Sequence, residues 1–192
     1  MWNESLFNAV RQGDIADILL CLENGADVNF KYERMFGWTP LICCAEFGYF
    51  DVAKLLIANG ADVNLRNNND MNPLMVASLK GHFEIVKLLV ENGADVNYIN
   101  KHNYLALWIA KTDEICDYLI AKTSSECVNL CLMFCLAGGN FEKVKYLIDN
   151  GADVNAKNKD GVYVLDYAKV GGNAEIMKLL MAKGANKSNQ IN

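Results

Sequence analysis

The sequence has few of the residues on which catalytic sites most often depend. Histidine occurs only twice, as His82 and His102. A cysteine or serine hydrolase needs a base positioned beside its nucleophile, and the sequence suggests no acid–cysteine–histidine set. The phosphate-binding pattern G-x-x-x-x-G-K-[ST] is also missing. These absences predict a protein that is not an enzyme, with no catalytic residues and no cofactor.

The sequence also lacks long apolar runs. None approaches the roughly 18 residues that a membrane-spanning helix needs. The opening residues place Glu4 early and have no long apolar stretch after a basic one, which argues against a secretory signal. The seven cysteines are odd in number and irregularly spaced, so they cannot all pair within the chain. We therefore expect a soluble, cytoplasmic protein with no membrane partner.

The sequence also has fewer basic residues than acidic ones. The formal net charge is −5 and the isoelectric point is about 5.0. Binding to phosphate backbones requires clustered Lys and Arg, whereas the basic residues here are scattered along the chain. We therefore expect no nucleic-acid partner.

What the sequence does contain is a repeat. The block G-A-D-V-N begins at Gly25, Gly60, Gly93 and Gly151, and a decayed copy, G-A-N, begins at Gly184. Successive copies are 35, 33, 58 and 33 residues apart. The long interval divides into two shortened copies, so the spacing predicts about six units of one repeated structure.

The best copy, residues 67–97, predicts two short helices. Asn72 is a suitable N-cap and Pro73 suits the first helical position. Gly81 provides a turn, after which apolar residues recur at helical spacing until Gly93 ends the second helix. Helices of about ten residues are marginal alone in water. Each pair must therefore be stabilised by stacking on its neighbours.

This unit resembles an ankyrin repeat. The motifs that carry the resemblance are Thr39-Pro40-Leu41, Asn72-Pro73-Leu74-Met75-Val76-Ala77, Gly81-His82, Ile85-Val86-x-Leu88-Leu89 and Asn92-Gly93-Ala94-Asp95-Val96-Asn97. The resemblance implies an all-α solenoid of about six stacked helix–turn–helix units, with short hairpin fingers and a concave face that binds partners. It also implies a structural role for His82.

We expect a single ankyrin-repeat domain over residues 1–192, irregular in units four and five. The expected units are approximately 1–29, 30–64, 65–97, 98–124, 125–155 and 156–186, followed by a frayed tail at 187–192. Alignment of the fourth unit with the third shows three residues missing between Ala110 and Glu114, which we assign to the turn between the helices. The fifth unit is too short to contain a finger.

Two clusters contain residue types that can bind metal ions. Cys127, Cys131 and Cys135 lie at i, i+4 and i+8 of one helix, where a rise of 1.5 Å per residue spreads them over about 12 Å. They cannot share one zinc ion, so we interpret them as small buried hydrophobes. The finger Asn67–Asp70 has a single acid and lacks the spacing of a calcium loop. We expect no metal site.

Residues 30–38 form the most aromatic predicted finger, and it carries two extra residues. Either Tyr32, Phe36 and Trp38 are exposed for a partner, or some of them fold back on neighbouring structure. The resemblance places six residues on fingers or on the groove side of first helices, as an apolar partner-binding strip: Phe36, Trp38, Phe47, Met71, Leu79 and Tyr104. We expect Trp38 to be the main anchor.

The expected function is non-enzymatic protein–protein interaction by a monomer that binds an unidentified protein partner through its concave face, as a scaffold does. The alternative is a dedicated inhibitor or immunity-type protein that blocks an enzyme. The sequence does not distinguish between these two roles.

Overall fold

The computed structural model describes residues 1–185, so the tail expected at 187–192 lies outside the described residues. Within this range the regular structure is helical, with one 3-10 turn at Glu33–Met35 and two isolated bridge pairs. The α-helices are α1 (Trp2–Gln12), α2 (Ile15–Glu23), α3 (Pro40–Phe47), α4 (Phe50–Ala58), α5 (Pro73–Lys80), α6 (Phe83–Glu91), α7 (Ala106–Ile109), α8 (Asp113–Ile120), α9 (Ser125–Ala137), α10 (Phe141–Asp149), α11 (Val164–Gly171) and α12 (Ala174–Ala182). Among these described helices, none has both the length and the apolar character needed to cross a bilayer.

The helices form two compact groups. The N-terminal stack comprises residues 1–121 and the C-terminal stack begins at Lys122. In the N-terminal stack, α1, α3, α5 and α7 pack in succession, and each contacts the second helix of its own repeat. The second helices α4, α6 and α8 also pack in succession. The single domain over 1–192, with its repeat boundaries, stays a prediction.

The C-terminal stack contains two repeats, α9 with α10 and α11 with α12. The first helices α9 and α11 contact each other, and so do the second helices α10 and α12. Each stack therefore has the predicted all-α arrangement of stacked helix pairs. This arrangement lets helices that are too short to be stable alone bury their apolar faces against neighbours.

Local sequence explains the ends of the regular helices. The Asn72 side chain accepts a hydrogen bond from the Met75 N–H at 2.9 Å, and Pro73 occupies the first turn of α5. Gly81 ends α5 with a φ of 87°, a left-handed conformation that glycine adopts without steric cost. The N-cap and the turn predicted for this repeat are confirmed.

The first helices α3 and α5 are buried around almost their whole circumference. Residues 40–45 of α3 and 73–78 of α5 are all buried, and only the C-terminal ends of the two helices reach the surface. A helix that is apolar on all sides has to be covered on all sides. Here its own second helix and the first helices of the adjacent repeats provide this cover.

The G-A-D-V-N block joins successive repeats through its asparagine. Asn64 Nδ2 donates to the carbonyl of Gly93 at 3.1 Å, and Asn64 Oδ1 accepts from the N–H of Asp95 at 2.8 Å. Asn29 makes the same two bonds to Gly60 and Asp62. Each asparagine thus joins its own block to the equivalent block one repeat later. We call this paired contact the asparagine clamp.

Two repeats that lack a preceding block obtain part of this clamp from a helix. Asn3 in α1 accepts a hydrogen bond from the Asp27 N–H at 2.8 Å. Asn129 in α9 accepts one from the Asp153 N–H, also at 2.8 Å. The first repeat of each stack is therefore built in the same way. The spacing of the blocks alone did not indicate this likeness.

The irregular fourth and fifth repeats are confirmed, with one correction. The residues missing from the fourth repeat come from its first helix, because α7 has 4 residues where α5 has 8. The turn expected to be shortened is present as residues 110–112, and Thr112 caps α8 by accepting from the Ile115 N–H. In the fifth repeat, residues 121–124 alone connect α8 to α9, which leaves no length for a finger.

We predict that Leu89→Ala lowers the free energy of unfolding by about 2–5 kcal/mol, because Leu89 is fully buried in α6. Leu88 in the same helix is only half-buried, so Leu88→Ala is the matched control and should cost less. Urea unfolding of both variants measures the difference. Equal midpoints for the two variants would contradict the assigned packing.

The clamp gives a second prediction. Asn64→Ala removes both inter-repeat hydrogen bonds and should cost about 1–2 kcal/mol. Asn64→Asp keeps an acceptor for the Asp95 N–H but loses the donor to Gly93, so it should recover at most half of the loss. Asn69→Ala, in an exposed finger position, is the control and should change stability by less than about 0.5 kcal/mol. Thermal unfolding that ranks Asn69→Ala with Asn64→Ala would contradict the clamp.

Candidate protein-binding face

The N-terminal stack carries three fingers, at residues 30–38, 66–71 and 98–104. The second and third fingers are each held by one asparagine. Asn67 Oδ1 accepts from the N–H groups of Asn69 and Met71, each at 3.0 Å. Asn100 does the same for His102 and Tyr104, at 2.9 and 2.8 Å. In each of these two fingers an asparagine side chain therefore bonds to its own chain and fixes the turn.

The first finger closes differently. The Tyr32 N–H donates to the Trp38 carbonyl at 2.8 Å, and the chain between them forms the 3-10 turn. The Tyr32 ring stacks on Phe7 of α1, with centroids 4.6 Å apart and planes at 13°. Tyr32 is therefore one of the aromatic residues that fold back on neighbouring structure. This contact fixes the finger against the first repeat.

Adjacent fingers are hydrogen-bonded to one another. The Asn68 N–H donates to the Phe36 carbonyl at 2.8 Å, and Asn68 Nδ2 donates to Glu33 Oε2 at 3.0 Å. Glycine suits position 37, because its φ is 67° and a Cβ there would lie 2.3 Å from Asn68 Oδ1 and displace that side chain. The first and second fingers are thus fitted closely together.

The second and third fingers are joined by charge-assisted bonds. Asp70 Oδ2 accepts from the Lys101 N–H at 2.8 Å, and Lys101 Nζ donates to the Asn68 carbonyl at 3.0 Å. Arg66 Nη1 donates to the Tyr98 hydroxyl at 2.7 Å and also pairs with Asp70. The Lys101 backbone bond is the main reason that the pKa of Asp70 lies below its ordinary value.

The structure distributes the six predicted partner-binding residues over fingers and helix ends of the N-terminal stack. Phe36 is the most exposed, at 67%, while Trp38 on the same finger is half-buried. Phe47 and Leu79 lie at the C-terminal ends of α3 and α5 and are both exposed. Met71 is half-buried, and Tyr104 is 38% exposed. That the six act as one surface remains a prediction.

Some of these residues are brought together by shared partners. Asn100 Nδ2 contacts Met71 Sδ at 3.4 Å, and the Asn100 backbone and side chain both bond to Tyr104. The helix ends that carry Phe47 and Leu79 are linked by an ion pair between Glu46 and Lys80. The second repeat is therefore linked to the third, and the third to the fourth, close to these apolar side chains.

The sequence reasoning missed two aromatic residues next to this strip. Trp108 lies against Tyr104, with centroids 5.2 Å apart, and their separation of four residues was the available signal. Tyr49 contacts Phe47, with centroids 5.7 Å apart, and occupies the turn position that His82 has in the next repeat. Both turn residues reach back to the preceding repeat, Tyr49 to the Arg11 carbonyl and His82 to the Glu46 carbonyl. The structural role expected for His82 is confirmed.

The cysteines are part of the packing. All seven are buried, as expected for small hydrophobes. Burial is the main cause that raises the pKa of the Cys43 thiol to about 12, and it also raises the pKa of Cys44. A thiol with a raised pKa is a poor nucleophile at neutral pH. Within residues 1–185, no group of three or more His, Cys, Asp or Glu side chains is arranged to hold a metal ion.

Helix pairs, fingers and asparagine clamps together define a helical repeat protein. The family model described as "Ankyrin repeats (3 copies)" matches residues 6–100 and again 104–191. The chain therefore belongs to the ankyrin-repeat family. The repeats of this family are protein-interaction modules, and the family is generally non-enzymatic.

Similar proteins include several that are much longer. The 2-5A-dependent ribonuclease of Mus musculus is 39% identical over 75 residues, which is 39% of this chain and 10% of that protein. The mitochondrial disaggregase of Bos taurus is 28% identical over 92% of this chain but 22% of its own length. The matched region is thus a tenth to about a fifth of these curated relatives.

One solved structure matches this chain over nearly the full length of both proteins. It is described as the Bd0816 predatory endopeptidase from Bdellovibrio bacteriovorus in complex with immunity protein Bd3460. A chain of that complex is 28% identical, with a TM-score of 0.74, and the match covers 93% of this chain and 97% of that one. The similarity supports the helical-repeat fold over nearly the whole sequence.

The hydrogen bonds between the second and third fingers predict how stability there depends on pH. Because the folded pKa of Asp70 is lowered, mainly by the Lys101 N–H, its stabilising effect is present above the ordinary aspartate pKa. It is lost as the pH falls through the lower, folded value. The Lys101 amide resonance should therefore titrate with an apparent pKa below the ordinary aspartate value. Asp70→Asn should abolish this titration, and its persistence in that variant would contradict the assignment.

Proposed function

We propose that the chain is a non-enzymatic protein-binding module and that its N-terminal stack contacts the partner. The contact strip consists of the exposed Phe36, Phe47, Leu79 and Tyr104, with the half-buried Trp38 and Met71 completing it. These residues belong to three consecutive repeats. Binding energy usually concentrates in a few apolar or aromatic anchors, and this strip supplies several on well-ordered elements.

The observation that carries this proposal is the conformation of Phe36. Its φ is 54°, a left-handed backbone that is unfavourable for a bulky side chain. The ring is nevertheless 67% exposed, so burial within the chain does not offset the strain. Strained residues are concentrated at binding sites. The hydrogen bond from the Asn68 N–H to the Phe36 carbonyl fixes the backbone at this residue, which lowers the entropy lost on binding.

A protein partner also agrees with the charge distribution. Residues 1–121 contain nine Lys and Arg against sixteen Asp and Glu, a formal net charge of −7. Such a surface repels phosphate backbones and favours partners with basic patches around an apolar centre.

The odd number of cysteines supports a reducing, intracellular location. We further propose that the protein is monomeric and cytoplasmic.

A second candidate function is to block an enzyme, as an immunity-type protein does. The match to a chain of the endopeptidase–immunity protein complex supports it, because that match covers 97% of the other chain. The longer curated relatives share only a minor part of their length with this chain. A rigid apolar strip could fill an enzyme cleft as readily as it could bind a non-enzymatic partner.

Affinity purification with the full chain distinguishes the two functions. The wild-type protein and a Phe36→Gly variant would be used in parallel, and partners lost with the variant would be identified by mass spectrometry. Inhibition of one purified enzyme at equal molar ratio would favour the blocking role. Binding that leaves the activities of several partners unchanged would favour a scaffold. Retention of every partner by the variant would contradict the strip.

Phe36→Gly should weaken partner binding by at least about 2 kcal/mol. It should not lower stability, because glycine removes the left-handed strain and the lost ring is mostly exposed. Trp38→Ala, at a half-buried position, should lower both affinity and melting temperature. Val170→Ala, at an 81% exposed position in the C-terminal stack, is the control. Calorimetry and thermal unfolding of the same samples separate these effects.

A further inference from the structure

A groove of about 380 Å³ lies in the C-terminal stack, between α9 and the finger at residues 155–163. We call it the lysine groove and define it by Glu126, Leu130, Met133, Lys157, Asn158 and Lys159. It is there because the fifth repeat has no finger. Within this stack, the finger of the last repeat therefore faces a helix instead of another finger.

The groove combines an apolar base with a basic rim. Leu130 is half-buried, so an apolar side chain of a ligand can remove its exposed part from water. Met133 also lines the base of the groove but is already almost fully buried. Lys157 Nζ lies 4.4 Å from the centre of the Tyr163 ring, which holds the ammonium group at the rim. The finger itself is fixed by Asn158, whose Oδ1 accepts from the N–H groups of Asp160 and Val162.

The second lysine of the rim is only weakly engaged. Lys159 Nζ lies 4.0 Å from Glu126 Oε1, and the two side chains are 87% and 69% exposed. Exposed ion pairs of this kind contribute little, so an incoming carboxylate can replace Glu126 at low cost. The groove therefore has two ammonium groups that can bind a negatively charged ligand.

The N-terminal stack contains a comparable groove with the opposite charge. It lies between the finger at residues 30–38 and α1, another first helix without a finger of its own, and has a volume of about 450 Å³. Its charged lining residues are Glu4, Asp27, Lys31, Glu33 and Arg34. Three acids against two bases there contrast with two lysines against one acid in the lysine groove. The same architecture thus carries different charge in the two stacks.

The net charge of residues 122–192 has the same sign as the net charge of the lysine groove. Residues 122–192 contain nine lysines and seven acids, a formal net charge of +2, while residues 1–121 have −7. Residues 122–192 contain no arginine, the residue that best forms paired bonds with phosphate. With only two lysines and Glu126 on the rim, the groove suits isolated carboxylates better than a phosphate backbone.

We propose that the lysine groove binds an acidic polypeptide segment that carries an apolar side chain. Carboxylates of the segment pair with Lys157 and Lys159, and the apolar side chain covers the exposed part of Leu130. This site goes beyond the function proposed above, because it uses none of the residues of the N-terminal strip. Either proposal can fail without the other.

The test uses the full ¹⁵N-labelled chain and a short peptide of glutamate, glycine and serine with one leucine. Addition of the peptide should shift the amide resonances of residues 126–133 and 157–163. The shifts should shrink as salt is added, because the rim charges are exposed and screened. A peptide with alanine in place of leucine should bind more weakly, because it leaves the apolar base uncovered.

A matched pair of variants locates the site. Lys157→Glu with Lys159→Glu should weaken peptide binding by about tenfold or more. Lys145→Glu with Lys178→Glu makes the same change of total charge at exposed positions outside the groove and should leave binding unchanged. Equal losses in the two double variants, or shifts that map elsewhere, would overturn the proposal. Tighter binding of a single-stranded oligonucleotide, or of a peptide with lysine replacing glutamate, would also overturn it.

Discussion

The asparagine clamp is the contact on which the regular part of the structure depends. Individual helices of 8 or 9 residues are too short to be stable, so the repeats must be held in register with one another. Asn29 and Asn64 do this with one donor and one acceptor each, directed at the Gly and Asp of the next block. The backbone groups involved come from exposed loops, where no helix or strand would otherwise pair them.

Register at the loops has a consequence at the fingers. Once successive repeats are aligned, Asn68 and Asp70 can bond to the neighbouring fingers, and the row of fingers becomes one hydrogen-bonded surface. A surface of this kind can hold exposed apolar rings at fixed positions. The proposed binding strip therefore relies on polar contacts beneath it as much as on the side chains that would touch a partner.

The repeats that lack a finger create surface features that the regular repeats do not have. Loss of a finger in the fifth repeat leaves one side of the last finger open and creates the lysine groove. The first repeat also lacks a finger and leaves a groove of opposite charge balance. In both places a helix asparagine, Asn129 or Asn3, replaces part of the missing clamp. Shortened repeats can thus provide binding sites while the stacking contacts are kept.

The sequence by itself determined the repeat, its two short helices and their ends, because Asn72, Pro73 and Gly81 act on backbone groups within a few residues. It also indicated the irregular repeats, although the shortening of α7 was assigned to the turn, since alignment counts missing residues without showing which hydrogen bonds are lost. Only the tertiary structure decided that Tyr32 stacks on Phe7, that Phe36 stays exposed, and that Asn129 reaches Asp153. These contacts join residues that are 24 or 25 positions apart, and their geometry depends on how whole repeats pack.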